Sequence, residues 1–286
     1  MSDEFNIEIP LHPAQRVFIT DPHKYLVMDA GRQMGKSHGC AAFCSVQALS
    51  KPGSVGWVIS PTYKQSAVLL KKIEKLLKDN KVPIKMKNTP QDMSITVLWN
   101  GSVISAVSAD NPNNLRGATL DFLVFDEAAM IPDDSIWYEI LMPMCWKEDC
   151  KVRFISTPKG KNWFYDLYKM AEDNEDWVSY HYTSDDNPFM PKSFIKSMEK
   201  RLDRDTFRQE ILAEFIEGGG LVFYDYDLAP VNGHIPQPTD MFIAGVDLAK
   251  TVDFTVITVI NIMTAEVCYV DRWQKCSWEE TIERIY

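Results

Sequence analysis

Residues 30–37 read Ala30-Gly31-Arg32-Gln33-Met34-Gly35-Lys36-Ser37 and follow an apolar run, Tyr25-Leu26-Val27-Met28. The residues that come next, Ala41-Ala42-Phe43, are typical of a buried helix. A strand, a glycine-containing turn and a helix that opens at Gly-Lys-Ser form an arrangement that binds nucleotide phosphates, because backbone N–H groups and the helix dipole point at the anion. Ala30 replaces the first glycine of the usual pattern and still permits a tight turn. The stretch therefore predicts a nucleotide site.

The side chains of this stretch have separate predicted roles. Lys36 would contact the β- and γ-phosphates of ATP, and the Ser37 hydroxyl would bind Mg²⁺. The turn itself would contribute mainly its backbone N–H groups. The residues predicted to surround the phosphates are Gly31, Arg32, Gln33, Met34, Gly35, Lys36 and Ser37.

Composition indicates an ordinary globular protein of one large or two modest domains, since 45% of the 286 residues are hydrophobic and 24% are charged. No apolar run approaches the ~18 residues of a membrane span, and the acidic start has no features of a signal peptide. The six cysteines form no C-x-x-C pair, so we expect reduced, structural thiols in a cytoplasmic protein.

The net charge of −10 argues against tight binding of nucleic acid over the whole surface. Seven lysines lie between positions 71 and 87, and this cluster is compatible with a local DNA-binding face. Helical lysines at such spacing are also typical of a solvated face, so both interpretations stand.

Phe122-Leu123-Val124-Phe125 followed by Asp126 and Glu127 predicts a central parallel strand with two carboxylates at its C-terminal end. Open α/β sheets bind ligands at that edge, where the phosphate-binding turn also lies. Asp126 would hold Mg²⁺, and Glu127 would polarise the attacking water. An isolated Asp-Glu pair after a strand is more often a helix cap.

Two further groups are candidates for nucleotide contact. The Gln15 amide can donate and accept at once, as the adenine N6/N7 edge requires, but it also suits a surface position at a helix start. Ser156 and Thr157 follow the predicted buried strand 151–155, at whose tip hydroxyls would be able to sense the γ-phosphate. They are equally plausible as turn formers.

A change of pattern near residue 217 divides the chain. Glu217-Gly218-Gly219-Gly220 is a boundary signal, so we assign residues 1–216 to the nucleotide-binding domain and 217–240 to a linker. Three β-rich runs within 241–286 predict an antiparallel meander, and Ser277 with Glu280 predicts a capping box. A helix that begins so close to Tyr286 suggests a truncated domain.

Several motifs together resemble the large terminase subunit of tailed bacteriophages. They are Gln15, the phosphate-binding turn with Arg32, Leu115-Arg116-Gly117, residues 124–129, Ser156-Thr157-Pro158, Asp186-Asn187-Pro188 and residues 210–215. The resemblance implies an ATP-driven motor that packages double-stranded DNA into a procapsid. It also implies an N-terminal ATPase domain and a C-terminal nuclease domain of RNase H-like fold.

Carried over residue by residue, the resemblance agrees with the chemistry above and adds four roles. Arg32 fits a cis arginine that steadies charge on the γ-phosphate, and Arg116 fits an arginine proposed to contact the ATP of a neighbouring subunit. Either a surface charge or an ion pair would also explain Arg116. Ser156 and Thr157 match the motif that couples hydrolysis to movement.

The fourth added role concerns the second domain. Asp247, at the end of the run 241–247, matches the first metal-binding aspartate of the nuclease domains, with Asp253 as a possible accessory. Two-metal hydrolysis needs several carboxylates around ions ~4 Å apart, so nuclease activity of the chain up to Tyr286 is expected to be absent or impaired. Asp271 is expected to cap its strand.

The predicted fold is thus α/β: a P-loop ATPase with a central, mainly parallel sheet, followed by the first β-meander of an RNase H-like nuclease domain. Expected cofactors are ATP and Mg²⁺, with a divalent metal at a completed nuclease site. Expected partners are double-stranded DNA, further copies in a ring, the portal protein and the small terminase subunit. The expected location is the host cytoplasm, docked on the procapsid, with no membrane contact.

Two other functions remain open from the sequence. A helicase-like nucleic-acid motor would carry a second ATPase-like domain, where this chain has β-meander sequence. A metal nuclease with a regulatory ATP site would require a complete acidic cluster, of which only Asp247 with Asp253 or Asp271 is present.

Overall fold

A computed structural model describes residues 7–89, 92–110, 115, 117–216, 237, 239–248, 254–273 and 276–285. The chain forms two compact units, Met1–Gly220 and Leu221–Tyr286. None of the six cysteines, all of which lie in the described part of the chain, forms a disulfide. Among the described residues, none of the helices combines the length and the apolar composition that crossing a bilayer requires.

The first unit is built on an eight-stranded sheet with the order β3-β4-β5-β2-β6-β7-β1-β8. Six neighbouring strands, from β5 to β8 in that order, run parallel, and β3 and β4 form an antiparallel extension. The strands are β1 (Tyr25–Ala30), β2 (Val55–Ser60), β3 (Ile84–Thr89), β4 (Asp92–Val97), β5 (Val103–Ser108), β6 (Phe122–Asp126), β7 (Lys151–Ser156) and β8 (Trp177–Tyr182). The predicted α/β fold with a mainly parallel sheet is confirmed.

Helices cover both faces of this sheet, which explains why β1 and β6 are buried along their whole length. The helices are α1 (Pro13–Thr20), α2 (Lys36–Ser50), α3 (Tyr63–Asp79), α4 (Met142–Met144), α5 (Trp163–Met170), α6 (Lys192–Arg201) and α7 (Arg204–Glu210). A π-helical segment, Ile136–Leu141, leads into α4, and single 3₁₀ turns occupy Ala128–Met130 and Ser184–Asp186.

The topology brings the candidate groups to one edge of the sheet. Strand β7 lies between β1 and β6, and all three are parallel. Because parallel strands end on the same side, the turn after β1, the two acids after β6 and the hydroxyls after β7 are neighbours.

Helix α3 crosses the same edge and is amphipathic. Leu69, Leu70, Ile73 and Leu77 are buried, while its lysines lie on the other face. Thr62 caps the helix by accepting a hydrogen bond from the Gln65 N–H, as expected for an N-cap threonine. The lysine face is therefore a solvent-exposed face of a packed helix, and DNA contact there stays a prediction.

The second unit contains an antiparallel sheet of three described strands, β9 (Phe242–Asp247), β10 (Thr255–Asn261) and β11 (Glu266–Trp273), with β10 in the middle. The predicted antiparallel meander is confirmed. So is the capping box of α8 (Trp278–Ile285), since Ser277 and Glu280 exchange two hydrogen bonds of 2.9 and 3.2 Å. The interpretation of Asp271 as a strand cap is wrong, because it lies inside β11 and pairs with Arg284 at 3.6 Å.

Candidate active site

Two adjoining cavities lie at the C-terminal edge of the parallel strands in the first unit, with volumes of about 570 and 290 Å³. Ser37 and Glu127 line both cavities. The larger is also lined by Arg32, Gln33, Gly35, Lys36, His38, Gln65, Lys72, Met130, Thr157 and Glu210. The smaller adds Lys64, Val68, Leu69 and Asp126. The predicted phosphate-binding turn and the predicted acidic pair therefore surround one open cleft.

The turn is held from outside by side chains, which bind every backbone carbonyl from residue 30 to residue 35. The bonds are Lys36 Nζ to Ala30 O (2.9 Å) and Gly31 O (3.2 Å), Ser184 Oγ to Arg32 O (2.7 Å), Asn187 Nδ2 to Gln33 O (2.6 Å), His12 Nε2 to Met34 O (2.8 Å) and Gln15 Nε2 to Gly35 O (3.0 Å). Within the described part of the chain, no backbone acceptor binds the N–H groups of Gln33, Gly35, Lys36 and Ser37. Free N–H groups of this kind are the anion-binding element of such turns.

Close packing explains both glycines of the turn. A Cβ on Gly31 would lie 2.4 Å from Ile211 O and 2.5 Å from Ser184 Oγ. Gly35 has a φ of +102°, and a Cβ there would lie 2.5 Å from Gln15 Nε2. Only glycine fits at either position without moving the neighbouring segments.

Lys36 is buried, and its ammonium donates to Thr157 Oγ1 at 2.7 Å as well as to the two turn carbonyls. Burial lowers the pKa of Lys36, and the nearby carboxylates Glu127, Asp126 and Glu210 act in the opposite direction. The ammonium is thus held between the turn and the end of β7 by oxygen atoms, facing an acidic pair.

Asp126 is a buried carboxylate whose Oδ1 has no hydrogen-bond partner among the described residues. Burial, followed by repulsion from Glu127, raises the pKa of Asp126 to about 7. A buried, unpaired oxygen is costly unless something binds it. Because Mg²⁺ prefers hard oxygen ligands, Asp126 together with the Ser37 hydroxyl in the same cavity fits this ion.

Glu127 adopts a left-handed backbone conformation with φ 57° and ψ 46°. This conformation costs a non-glycine residue about 1 kcal/mol or more and is concentrated at functional sites. Its Oε2 accepts from Ser156 Oγ at 3.3 Å and from the Thr157 N–H at 3.5 Å. Thr157 therefore contacts both the turn lysine and Glu127.

The remaining predicted residues differ in where they lie. Gln15 is buried, with its amide bound to Gly35 O and to the His12 N–H (3.2 Å), and it lines neither cavity. Met34 is buried in the core, and Ser156 is buried and lines neither cavity. Arg32 lines the larger cavity, and its mostly exposed side chain pairs with Glu210 at 3.4 Å.

Three predicted residues lie outside this cleft or outside the described chain. Arg116 and Asp253 are not among the described residues. Asp247 ends β9, which is exposed on both faces. Across the described residues there is no group of three acidic, histidine or cysteine side chains that could hold a metal ion.

Three residues line the cleft that were not predicted to belong to the site: Lys72 and Gln65 approach it from α3, and Glu210 reaches it from the end of α7. Lys72 lines both cavities and lowers the pKa of Asp126 against the effect of burial. A signal existed for Lys72. It lies one residue before the buried Ile73 and three after the buried Leu69, which places it at the edge of the exposed lysine face of α3.

Comparison with known proteins identifies relatives. Residues 27–229 match the family described as terminase large subunit, T4likevirus-type, N-terminal. The chain is 30% identical to the large terminase subunits of Thermus phage G20c and Thermus virus P23-45, over 322 aligned positions that cover 96% of this chain. It spans 65% of the length of these two curated relatives.

Solved structures agree with these matches. The large terminase ATPase domain of Thermus phage P74-26 superposes with a TM-score of 0.65 at 29% identity, covering 72% of this chain and 94% of that one. The large terminase of bacteriophage HK97 superposes with a TM-score of 0.62 over 93% of this chain and 63% of that one, at 16% identity, and so supports the fold alone. The family match over residues 27–229 shows that this chain belongs to the large terminase subunits of tailed bacteriophages.

Proposed function

We propose that the first unit hydrolyses Mg·ATP at the cleft between the phosphate-binding turn and the Asp126–Glu127 pair. The observation that carries this proposal is the shared lining of the cleft by Lys36, Ser37 and Glu127, with Asp126 beside them, whose Oδ1 has no partner among the described residues. Two sets of solved relatives support nucleotide as the ligand: the P74-26 structure is named an ATPase domain, and a large terminase from a thermophilic bacteriophage is described in complex with ADP and with ATP-γ-S.

The chain's own residues have distinct roles in this proposal. The N–H groups of Gln33, Gly35, Lys36 and Ser37, for which the described chain offers no backbone partner, would bind the phosphates, and Lys36 would turn its ammonium from the carbonyls toward them. Glu127 Oε2 would accept the proton of the attacking water. Mg²⁺, when bound by Ser37 and Asp126, would neutralise charge on the phosphates.

Arg32 and Arg116 would supply positive charge to the γ-phosphate, Arg32 in cis and Arg116 from a neighbouring copy. Thr157 would respond to changes in the nucleotide site, since its hydroxyl contacts Lys36 and its N–H contacts Glu127. Gln15 would act on the adenine edge only if its amide left Gly35 O; in the arrangement described, it supports the turn instead.

We further propose that hydrolysis drives double-stranded viral DNA into a procapsid, as the family suggests, through a ring of subunits that engages the portal protein and the small terminase subunit in the host cytoplasm. The DNA-contacting surface would include the lysine face of α3. The second unit would belong to an RNase H-like nuclease domain, with Asp247 as a ligand of a divalent metal. Residues 217–240 would link the two.

The test is Mg²⁺-dependent ATP hydrolysis by the chain over a protein concentration series, beside Arg116→Ala. The matched control is Arg201→Ala, which removes an exposed arginine from the end of α6. A specific rate of ATP hydrolysis that rises with protein concentration, and that falls about 10³-fold in Arg116→Ala but not in Arg201→Ala, supports an assembled motor. In such a motor, Arg116 acts as an arginine finger on the ATP of a neighbouring subunit. Absence of turnover at every concentration contradicts the ATPase, whereas turnover that is independent of concentration and of Arg116 contradicts the ring.

A further inference from the structure

Two of the carbonyls of the phosphate-binding turn are bound by side chains that lie more than 150 residues later in the chain. Ser184 Oγ donates to Arg32 O at 2.7 Å, and Asn187 Nδ2 donates to Gln33 O at 2.6 Å. Both follow β8, in and just after the 3₁₀ turn Ser184–Asp186. We call Ser184 and Asn187 the turn clamp.

The clamp is itself fixed in place. Asn187 Oδ1 accepts the Phe189 N–H at 2.9 Å, so the amide oxygen is used locally and its NH₂ faces Gln33. Ser184 is buried, and its N–H donates to Ile211 O at 2.8 Å. The turn adds backbone bonds to the same region, from the Gly31 N–H to Tyr182 O (2.9 Å) and from the Arg32 N–H to Glu210 O (2.8 Å).

The clamp determines which way the peptide groups of the turn face. In a trans peptide, the C=O and the following N–H point in opposite directions. When Ser184 holds Arg32 O outward, the Gln33 N–H points inward, and it is one of the N–H groups with no backbone partner among the described residues. Asn187 holds the next peptide, whose N–H, that of Met34, closes the turn on Gly31 O at 3.3 Å.

The residue between these two peptides is strained. Gln33 has a φ of +62°, in the left-handed region that glycine adopts freely and a side chain with a Cβ does not. Without bonds on its flanking carbonyls, Gln33 has a steric reason to leave this conformation and turn a carbonyl toward the anion. The bond from Asn187 acts directly on its carbonyl.

We propose that Asn187, with Ser184, is a positioning residue that preorganises the phosphate-binding turn for the nucleotide by holding Gln33 in its left-handed conformation. The proposal rests on the proposed function, because it assumes that the turn binds nucleotide phosphates. Loss of the clamp shifts the cost of ordering the turn onto nucleotide binding, which weakens affinity and leaves the chemical step intact.

The experiment measures the Kd of ATPγS by calorimetry, together with KM and kcat for ATP, in Asn187→Ala and in Asn174→Ala. Asn174 is the matched control, because its side chain accepts the Asp176 N–H in the same kind of local turn (3.0 Å) and is exposed. The expected result for Asn187→Ala is a Kd and KM about tenfold higher, with kcat changed less than about threefold. Asn174→Ala is expected to match the parent chain.

A second pair of variants separates the amide donor from the local turn and from general destabilisation. Asn187→Asp keeps the acceptor for Phe189 and loses the donor to Gln33, so it is expected to bind at least as weakly as Asn187→Ala. In a Gln33→Gly background, Asn187→Ala is expected to raise the Kd of ATPγS only about two- to threefold, because glycine adopts the left-handed conformation without steric strain.

Parent affinity in Asn187→Asp, equal weakening in Asn174→Ala, or an undiminished effect of Asn187→Ala in the Gln33→Gly background would each overturn the inference while leaving the nucleotide site intact. Absence of ATPγS binding by the parent chain would instead remove the proposed function, and the inference with it.

Discussion

Two strands of this protein each end in an aspartate, and the two carboxylates have opposite surroundings. Strand β6 reads Phe-Leu-Val-Phe and ends at Asp126, and β9 reads Phe-Ile-Ala-Gly-Val and ends at Asp247. Asp126 is buried, has a raised pKa and carries one oxygen for which the described residues provide no hydrogen-bond partner. Asp247 lies on a strand that is exposed on both faces.

The difference comes from what flanks each strand. In the first unit, β6 lies between β2 and β7, with helices on both faces of the sheet, so its terminal carboxylate meets the turn after β1 and the hydroxyls after β7. In the second unit, β9 pairs only with β10 among the described strands. An apolar run that ends in aspartate predicts a strand well, but the neighbouring elements determine whether the aspartate belongs to a site.

The largest expected effect is on the rate of ATP hydrolysis, for which Glu127, the neighbour of Asp126, is compared with Asp247. Glu127→Gln keeps the shape of the side chain and removes the proton acceptor, so kcat for ATP is expected to fall by about 10²- to 10⁴-fold. Asp247→Asn, the matched change in the second unit, is expected to leave steady-state ATP turnover unchanged. Turnover in Glu127→Gln within about twofold of the parent contradicts the assignment of the general base.

Much of this contrast could be predicted from the sequence, for a physical reason. Lys36, Ser37, Asp126 and Glu127 all lie at or directly beside the end of a regular element, so hydrophobic period and turn chemistry place them at one sheet edge. Contacts between distant segments leave no such local signal. The bonds of Ser184, Asn187 and Gln15 to the turn, and the approach of Lys72 from α3, depend on side-chain directions that only the packed structure defines.

The next largest effect compares the two aspartates at the ends of β6. Asp121 directly precedes the strand, and Asp126 is its last residue. Burial raises the pKa of Asp121, but hydrogen bonds from Lys147, Lys51 and the Val55 N–H outweigh it and lower this pKa to about 2. The ionised form is thus favoured in the folded state, and its stabilisation is complete above the unfolded pKa of 3.8 and lost as pH falls through about 2.

Asp121→Asn is therefore expected to lower the free energy of unfolding at pH 7 by about 2 kcal/mol, with a difference that narrows below about pH 4. Denaturant unfolding at several pH values measures this. Asp149→Asn is the control, because Asp149 shares Lys51 but is 65% exposed, and it is expected to cost less than about 0.5 kcal/mol. If Asp121→Asn and Asp149→Asn lose the same free energy of unfolding, burial does not explain the contribution of Asp121 to stability.

A smaller effect concerns charge beside Asp126. Lys72 lines both cavities, whereas its neighbour Lys71 lines neither. Lys72→Ala is expected to raise the Kd of ATPγS by about tenfold and Lys71→Ala by less than about twofold, although each removes one charge from α3. Calorimetric titration at fixed ionic strength measures both. Equal effects indicate that only the overall charge of the helix matters.

The smallest expected effect is on stability without metal. Asp126→Asn removes a buried charge that faces Glu127, so the Tm of the protein in EDTA is expected to rise by about 2–4 °C. Scanning calorimetry measures it, and Asp247→Asn, at an exposed position, is expected to shift the Tm by less than about 1 °C. A lower Tm for Asp126→Asn would mean that the carboxylate is stabilised in the folded protein by contacts that the structure does not contain.

We propose that the metal-dependent nucleotide site lies at Asp126 and not at Asp247. The most direct test is the Kd of ATPγS in Mg²⁺ and in EDTA for the parent chain, Asp126→Asn and Asp247→Asn. We predict that Mg²⁺ strengthens binding by about 10- to 100-fold in the parent and in Asp247→Asn, and by less than about threefold in Asp126→Asn. Full strengthening by Mg²⁺ in Asp126→Asn, or its loss in Asp247→Asn, would contradict the claim.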